Sequence, residues 1–541
     1  MKTANKIVVA CLLSMGTSLA TAQTTIYDAN RWMTTDLNGT ARFVGMGGAM
    51  GALGGDISTM GTNPAGIGIY RSNDVMISFG VENTKAKSAL GMSQDKTHAS
   101  FDNAGFVFSA KIGNNTALRF ANFGFNYRRL GSFNRSMLTG GTFAASQTLQ
   151  MADMLNYDGY GTLNPPTEKI LQANDVFHNP EVPWLGALAY NAGAGTTGTN
   201  DQNGLLIPHY ITDAGGNAIL ERYYPYMANG DQVAQNYRSK ESGGIHSFDI
   251  NGALNFYDRF YIGATLGLYS IDYDRRSTYD EDFTGSDSQN YGGYTLTNRY
   301  WADGSGVDFK LGIIVRPFED SSFRFGLAVH TPTLFSVTER NSASIDYALS
   351  SDVKGNSSVY DTDGYGMDGD FQYKVVTPWK FNASLGYTVG SAVALGAEYE
   401  YADRSAGKIE DPDGYEMGET TDMQDMMKAM HTIRVGAEIR LAREFSLRLG
   451  YNYITAPFKN DAYKYLPYNS IRTDTEYANL GATNNYTAGL GYRGKSFYAD
   501  LAYRYNTYKE TFYAFHRKEL SGGTEITNSN HKLMLTLGLR F

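Results

Sequence analysis

The stretch HKLMLTLGLRF (residues 531–541) ends the chain and shows the alternation on which the fold depends. In an extended conformation, successive side chains point to opposite faces. One side of this segment then carries only large apolar residues: Leu533, Leu535, Leu537, Leu539 and Phe541. A period of two over this length predicts a β-strand with one apolar face.

The same alternation recurs through the second half of the chain. It is found in VALGAEYEYAD (393–403), HTIRVGAEIRL (431–441), EFSLRLGYNYI (444–454) and SFYADLAYRYN (496–506). A soluble sandwich would also alternate. Long apolar faces, tyrosines near strand ends and charged residues on the opposite faces favour a membrane barrel with a wet lumen. The terminal Phe541 resembles the assembly signal of bacterial outer-membrane barrels.

Connections between these strands alternate in length. Short turns, such as Gly113-Asn114-Asn115 and Gly390-Ser391, are separated by longer segments, the longest of which is about 133–243. Short turns on one rim and long loops on the other are typical of outer-membrane barrels. We therefore predict an all-β fold: a transmembrane antiparallel barrel of about 14 strands over residues 74–541, with both termini periplasmic.

The N-terminus predicts export. Lys2 and Lys6 precede a short apolar stretch, and Ala20-Thr21-Ala22 is a small-residue cleavage site, so residues 1–22 are expected to be a signal peptide. The single cysteine lies within it, which excludes thiolate metal sites and cysteine nucleophiles from the mature chain. A formal net charge of −9 argues against a nucleic-acid partner.

Residues 23–73 precede the first strand and do not alternate. They are rich in glycine, as in ARFVGMGGAMGALGG (41–55) and GTNPAGIGIYRS (61–72). Side chains of the wall cannot fill a barrel of about 14 strands, which must therefore be an open pore or be plugged. Glycine permits close backbone packing, so this segment is predicted to be a plug inside the barrel.

These features resemble the FadL/TodX family of outer-membrane transporters for long-chain fatty acids and other hydrophobic compounds. The resemblance rests on the hatch motif of Gly45, Gly47, Asp56, Asn63, Pro64, Ala65 and Gly66, and on the strand FRFGLAVHTPTLFSV (323–337). It implies a barrel of fourteen strands plugged by an N-terminal hatch. It also implies transport through a hatch-capped pocket and a lateral opening beside a kinked third strand. No energy-coupling segment is recognisable in the sequence, so passive diffusion is expected. No cofactor, metal site, catalytic residue or enzymatic activity is expected, and the chain is expected to act as a monomer among outer-membrane lipids.

The third strand contains a change of hydrophobic phase. In ALRFANFGFNYRR (117–129), Phe120 lies on one parity and Phe123 and Phe125 on the other. One inserted residue flips every later side chain, so a β-bulge is predicted. It would involve Ala121, Asn122, Phe123 and Gly124 and is either a marker of the lateral opening or a bulge without a role.

Two loop regions carry enough apolar residues to form a ligand groove. The candidate residues are Phe143, Met151, Leu155, Trp184 and Leu185 in the longest loop, and Met423, Met426, Met427 and Met430 spaced as one helical face. Methionine suits adaptable apolar binding. The alternative is that these loops fold on themselves, with the methionine helix packed on the rim of the barrel.

Two other functions remain open at this point. A haem or hemin receptor would draw axial ligands from His178, His209 and Tyr210, although no haem motif is present. A barrel could also serve as a scaffold or shuttle for exported proteins.

Overall fold

The computed structural model describes residues 24–158, 161–173, 176–179, 181–191, 204–227, 231–283, 292–349, 354–359, 371–467, 469–516 and 522–541. The signal-peptide prediction for residues 1–22 lies outside this range. No helix among the described residues is long and apolar enough to cross a membrane.

The described chain forms a closed antiparallel β-barrel of 14 wall strands, which confirms the predicted fold class. The strands are β1 Asp74–Ser88, β2 Ser93–Lys111, β3 Leu118–Ser132, β4 Arg135–Phe143, β5 Leu206–Thr212, β6 Ala218–Pro225, β7 Val233–Phe256, β8 Phe260–Asp282, β9 Gly293–Val315, β10 Arg324–His330, β11 Leu334–Ala348, β12 Lys354–Val359, β13 Phe371–Val376, β14 Lys380–Val389, β15 Val393–Asp403, β16 Lys408–Glu410, β17 Ala429–Arg440, β18 Phe445–Ile454, β19 Tyr477–Arg493, β20 Phe497–Tyr513 and β21 Thr524–Arg540. Several wall strands are divided into successive segments, and β5 and β6 form a separate hairpin.

The first and last strands close the barrel. β1 pairs with β21 from Asp74 opposite Arg540 to Ser88 opposite Ile526, without a register shift. Along β21 the exposed Leu533 and Leu535 point outward, while Lys532 and Thr536 are buried inside. The apolar residues of the alternating pattern therefore face the outer surface, and the polar residues between them face the lumen.

Charged residues on the inward faces pair with one another. Arg448 binds Glu438 and Asp500, each at 2.6 Å, and Arg434 binds Glu398 at 2.6 Å. Burying an unpaired charge is costly, and these pairs offset that cost within the lumen.

The connection after β4 folds into a compact domain. It contains helices Thr148–Asn156, Glu168–Leu171 and Trp184–Asn191, a 3₁₀-helix at Val176–His178 and the β5–β6 hairpin. Its interior is one apolar cluster around Trp184 and Leu185. Residues 133–243 are thus not a single loop, because β4 and the first half of β7 pair with each other and extend the wall.

The N-terminal segment, residues 24–73, lies inside the barrel. It comprises helices Ile26–Met33 and Ala41–Gly45 and 3₁₀-helices Ile57–Gly61 and Pro64–Ile69. Thr25 and Asp28 form a capping box at its first helix. Wall strands contact it on all sides, through Glu438 of β17, Ile313 of β9 and Thr536 of β21.

The two described chain ends lie at different levels of the barrel. Phe541 and Asn73 exchange backbone hydrogen bonds of 3.0 and 3.2 Å at the end that carries the short turns. Asp28, close to the first described residue, instead contacts Arg472 of the long connection between β18 and β19. The segment runs lengthwise through the lumen, and the periplasmic position of both termini stays a prediction.

Candidate functional site

The hatch-motif residues are buried at the short-turn end of the lumen. Asn63 caps the 3₁₀-helix Pro64–Ile69 by accepting from the backbone N–H of Ala65, and its amide donates to the carbonyl of Ile313 in β9 over 3.2 Å. The carbonyl of Pro64 accepts from the amide of Asn251 in β7 over 3.3 Å. This tripeptide thus has side-chain or backbone bonds to two wall strands.

Glycines on both partners allow this close approach. A Cβ at Gly263 would collide with the carbonyl of Pro64, and one at Gly396 would collide with the carbonyl of Ala49. Gly47 turns the chain at φ +62°, which favours glycine, and it packs on the backbone of Tyr451. Gly45 packs against Arg448. The sequence does not identify these wall glycines as packing positions, because only the folded chain shows which of them face the segment.

Asp56 and Gly66 hold the segment together internally. Asp56 caps the 3₁₀-helix Ile57–Gly61 and accepts from the hydroxyl of Thr40 over 2.7 Å. The carbonyl of Gly66 accepts from the N–H of Gly55 over 3.0 Å. These two motif residues fix the shape of the segment rather than its attachment to the wall.

A cavity of about 420 Å³ lies between this segment and the long-loop side of the barrel. Its lining includes Trp32, Leu37, Leu130, Phe133, Met137, Phe335, Met430, Phe458 and Phe512, so it offers apolar surface from both the segment and the wall. Concave cavities of this size with a few polar groups are typical of ligand sites.

Arginine and lysine side chains also line the cavity, and most of them pair with carboxylates, as Arg434 does with Glu398 and Arg504 with Glu82. Arg128, Lys380 and Arg404 have no carboxylate within ion-pair distance among the described residues. Arg128 packs on Gly61, and the guanidinium of Arg404 donates to the carbonyl of Met33 over 3.0 Å. Three cations without carboxylate partners suit an anionic ligand group.

The wall beside the cavity has an interrupted hydrogen-bond ladder. β2 and β3 pair from Lys111 opposite Phe120 to Asn103 opposite Arg128, and among the described residues no ladder pair joins them beyond that point. β3 instead bulges at Leu130 against β7, between Arg129 and Gly131. Side-chain contacts then connect the two strands, as in the 3.2 Å approach of the Arg129 guanidinium in β3 to the Asp102 carboxylate in β2.

The bulge predicted at Ala121, Asn122, Phe123 and Gly124 is wrong in position. These residues pair without interruption with both β2 and β7. The change of phase arises because Phe120 faces the lumen at the short-turn end, where the guanidinium of Arg71 lies 4.5 Å from its ring. The ladder between β3 and β7 instead shifts register at two other places, at Arg119, which precedes this stretch, and at Leu130, which follows Arg128-Arg129.

The residues proposed for a groove in the longest loop form part of its core. Met151, Leu155, Trp184 and Leu185 are each at most 2% exposed and belong to one cluster, and Phe143 is half-buried at the end of β4. In this conformation they support the fold of the loop domain and present no open groove.

The methionine segment is divided between two elements. The helix is Glu419–Met426, and Met423, Met426 and Met427 pack with Trp32 and Ile26 of the N-terminal segment. Met430 lies in β17 and lines the cavity. The predicted single helical face is therefore wrong, because the helix ends before Met430.

The candidate haem ligands belong to two elements of the loop domain, His209 and Tyr210 to β5 and His178 to a 3₁₀-helix. The imidazole of His209 lies 3.0 Å from Glu221 on the exposed β5–β6 hairpin, and His178 ends a 3₁₀-helix of the loop domain. Among the described residues, no group of three or more His, Cys, Asp or Glu side chains is arranged to hold a metal ion.

Comparison with solved structures finds barrels of the same fold. A Pseudomonas aeruginosa FadL homologue aligns with a TM-score of 0.50 at 12% identity over 94% of this chain and 99% of that chain. A deltaS2 mutant of the TodX monoaromatic hydrocarbon channel aligns with a TM-score of 0.50 at 12% identity over 94% of this chain and 100% of that chain. No family sequence model matches, and comparison with curated protein sequences gives no significant match. The resemblance stated from the sequence is confirmed at the level of the fold.

Proposed function

We propose that this chain is an outer-membrane transporter for hydrophobic compounds, with long-chain fatty acids as the best-supported class. The single observation that carries the proposal is the cavity beside an interrupted wall ladder. A molecule bound there is separated from the membrane by side chains, without a continuous backbone ladder in between. The fold shared with a FadL homologue and a hydrocarbon channel supports the same class.

The exposed outer surface supports a position in a membrane. Leu266 and Leu268 of β8 and Leu533 and Leu535 of β21 point outward and are each at least 40% exposed. Large contiguous apolar surface of this kind is covered by lipid in outer-membrane barrels. In that position the short turns face the periplasm and the loop domain faces outward.

The mixed chemistry of the cavity favours an amphiphile with an acidic head. The apolar lining accommodates a hydrocarbon tail, whose burial contributes about 0.8 kcal/mol per methylene. Lys380 and Arg128, which lack carboxylate partners, provide positions for a carboxylate head. A plug formed by residues 23–73 would close the path toward the short-turn end until it moves, and no energy source is required for a ligand that moves down its gradient.

Matched ligands test this proposal. Oleate and oleyl alcohol share a tail and differ in the charge of the head. We expect the purified barrel to bind oleate about tenfold more tightly, since a hydrogen bond to a charged group contributes about 1.5–3 kcal/mol. Lys380→Met and Arg128→Met should each remove most of this preference, whereas Lys509→Met, in an exposed pair with Glu525, should retain it.

Uptake by cells provides the second measurement. A strain that lacks this chain should take up labelled oleate more slowly than its parent, and the intact gene should restore the rate. Equal uptake with and without the chain, or equal affinity of the purified barrel for oleate and oleyl alcohol, contradicts the proposal of a fatty-acid transporter.

A further inference from the structure

Near its bulge at Leu130, the backbone of β3 is no longer paired with β2 among the described residues. Beyond Arg128, no rung of the β2–β3 ladder is present among the described residues, which leaves backbone groups of residues 129–132 without that partner strand. Unpaired backbone groups in a membrane-embedded wall are costly. Some other part of the chain must satisfy them if this part of the wall is to be stable.

The N-terminal segment supplies those partners. The N–H of Asp36 donates to the carbonyl of Leu130 over 2.8 Å, and a carboxylate oxygen of Asp36 accepts from the N–H of Ser132 over 2.9 Å. The side-chain amide of Asn38 donates to the carbonyl of Arg129 over 2.8 Å. Two backbone carbonyls and one backbone N–H of β3 are thus bonded to residues 36–38, which are not part of the wall.

Asn38 also bonds to the other side of the interruption. Its amide nitrogen lies 3.2 Å from a carboxylate oxygen of Asp102 in β2, and its amide oxygen accepts from Lys532 of β21 over 2.8 Å. The side chain is 2% exposed. A single amide therefore connects the β2 side and the β3 side of the gap from within the lumen.

Charged side chains surround the amide of Asn38. Asp102 accepts from Lys532 over 2.6 Å, and Arg129 of β3 lies 3.2 Å from Asp102 across the gap. Arg504 donates to the carbonyl of Leu37 over 2.6 Å, which fixes the stretch between the two bonding residues. These are side-chain contacts, which can separate without unzipping a strand pair.

We infer that Asp36 and Asn38 act as a latch that holds the interrupted wall shut and couples it to the position of the N-terminal segment. The inference rests on the proposed function, since it assigns positioning residues to the exit of the ligand. When the segment is in place, Asp36 substitutes for the missing strand and Asn38 joins both sides. When the segment moves, both functions are lost together, so the path past the segment and the gap in the wall open in one step.

Hydrogen exchange of the full chain in detergent tests the latch without reference to any ligand. Asp36→Ala should raise the exchange rate of the Ser132 amide about tenfold or more, because it removes a hydrogen bond to a charged acceptor. Asp36→Asn keeps an acceptor and should restore most of the protection. Asn38→Asp retains the oxygen for Lys532 but loses both donated bonds, and should raise exchange over residues 128–132 in the same way.

The control substitution acts on the opposite wall. Arg42 of the segment binds Glu438 of β17 over 2.9 Å. Arg42→Met should loosen the segment there and leave exchange at residues 128–132 near the rate of the unaltered protein. Unchanged exchange at 128–132 in Asp36→Ala and Asn38→Asp, or an equal rise in Arg42→Met, overturns the latch.

A transport measurement separates the latch from the proposed function. If the unaltered chain fails to transport oleate while the exchange results hold, the proposed ligand is wrong and the latch stands as a structural coupling. If oleate is transported and the latch variants release it no faster than the unaltered chain, the role of Asp36 and Asn38 in exit is overturned. We expect faster release from both Asp36→Ala and Asn38→Asp.

Discussion

Arg472 and Asp28 are 444 residues apart in the sequence, and in the folded chain Nη1 of Arg472 lies 3.1 Å from Oδ2 of Asp28. Arg472 belongs to the connection between β18 and β19, and Asp28 belongs to the first helix of the N-terminal segment. Arg472 also binds Asp474 and Glu339, at 2.6 and 3.3 Å. The long connection therefore closes over the lumen and holds the segment from the side opposite the short turns.

Removal of Arg472 should destabilise this end of the barrel. Arg472→Met leaves Asp28, Asp474 and Glu339 buried without their common partner, and breaking a buried ion pair costs about 3–5 kcal/mol. Thermal unfolding followed by circular dichroism in detergent measures the loss. Lys509→Met is the matched control, because its exposed pair with Glu525 contributes about 0–1 kcal/mol. A midpoint for Arg472→Met equal to that of the control contradicts a structural role for the pair.

Acid should weaken the same cluster. The Arg472 guanidinium opposes the effect of burial and lowers the pKa of Asp28, and the pKa of Asp474 lies well below its ordinary value for the same reason. Groups with a lowered pKa stabilise the fold above the pKa of the unfolded chain, about 3.9 for Asp, and lose that contribution as the pH falls further. We expect the midpoint of unfolding to decline below about pH 4. Arg472→Met should make that decline less steep. An unchanged dependence of the midpoint on pH below about pH 4 contradicts the view that Arg472 lowers these two pKa values.

Glu419 should produce the opposite pH dependence. It lies at the start of the helix Glu419–Met426, and neither carboxylate oxygen has a hydrogen-bond partner in the part of the chain that the structure describes. Burial raises its pKa to about 7. A raised pKa contributes stability below the unfolded value of about 4.3, and that contribution is lost as the pH rises toward 7. Glu419→Gln should therefore be more stable than the unaltered chain at pH 8 and of similar stability at pH 4.

The control for Glu419 lies on the same helix. Asp425→Asn changes an exposed carboxylate and should leave the difference between pH 4 and pH 8 as it is in the unaltered chain. Midpoints of thermal unfolding at the two pH values give the comparison. If Glu419→Gln shows the same dependence as the unaltered chain, Glu419 is ionised throughout and its burial has been compensated by another group.

Wall glycines should be sensitive to the smallest possible substitution. A Cβ at Gly396 would collide with the carbonyl of Ala49, so Gly396→Ala should displace the N-terminal segment and expose it to protease. Overpacking of this kind costs about 1–3 kcal/mol. Gly252→Ala is the control, because nothing lies within 4 Å of its Cβ position. Equal protease resistance of residues 24–73 in the two variants would show that the segment tolerates the added methyl group.

The loop domain should depend on its own core. Trp184 is 2% exposed, and Trp184→Ala should destabilise the domain by about 3–5 kcal/mol through loss of burial and creation of a cavity. Limited proteolysis between β4 and β7 reports on this domain alone. Tyr224→Ala, at a position 43% exposed, should leave the cleavage rate unchanged. Similar cleavage of both variants contradicts the view that Trp184 is a core residue.

The position of the bulge in β3 could not be predicted from the sequence alone. The hydrophobic pattern of β3 predicts a bulge at Ala121–Gly124, whereas the register shifts lie on either side of that stretch, at Arg119 and at Leu130. The pattern misled because Phe120 is an aromatic residue that faces the lumen and packs on Arg71. An apolar side chain indicates burial, but the sequence does not state whether lipid or the N-terminal segment covers it.

The sequence by itself determined the barrel and the presence of a glycine-rich segment before it. Alternation of period two is a local property, and each strand carries it independently of its neighbours, as in residues 531–541. The tertiary structure alone decided which inward charges are paired, where the ladder is interrupted, and that the apolar loop residues form a core. Those features depend on contacts such as Arg472 with Asp28 and Leu130 with Asp36, which exist only after the barrel has closed around the segment.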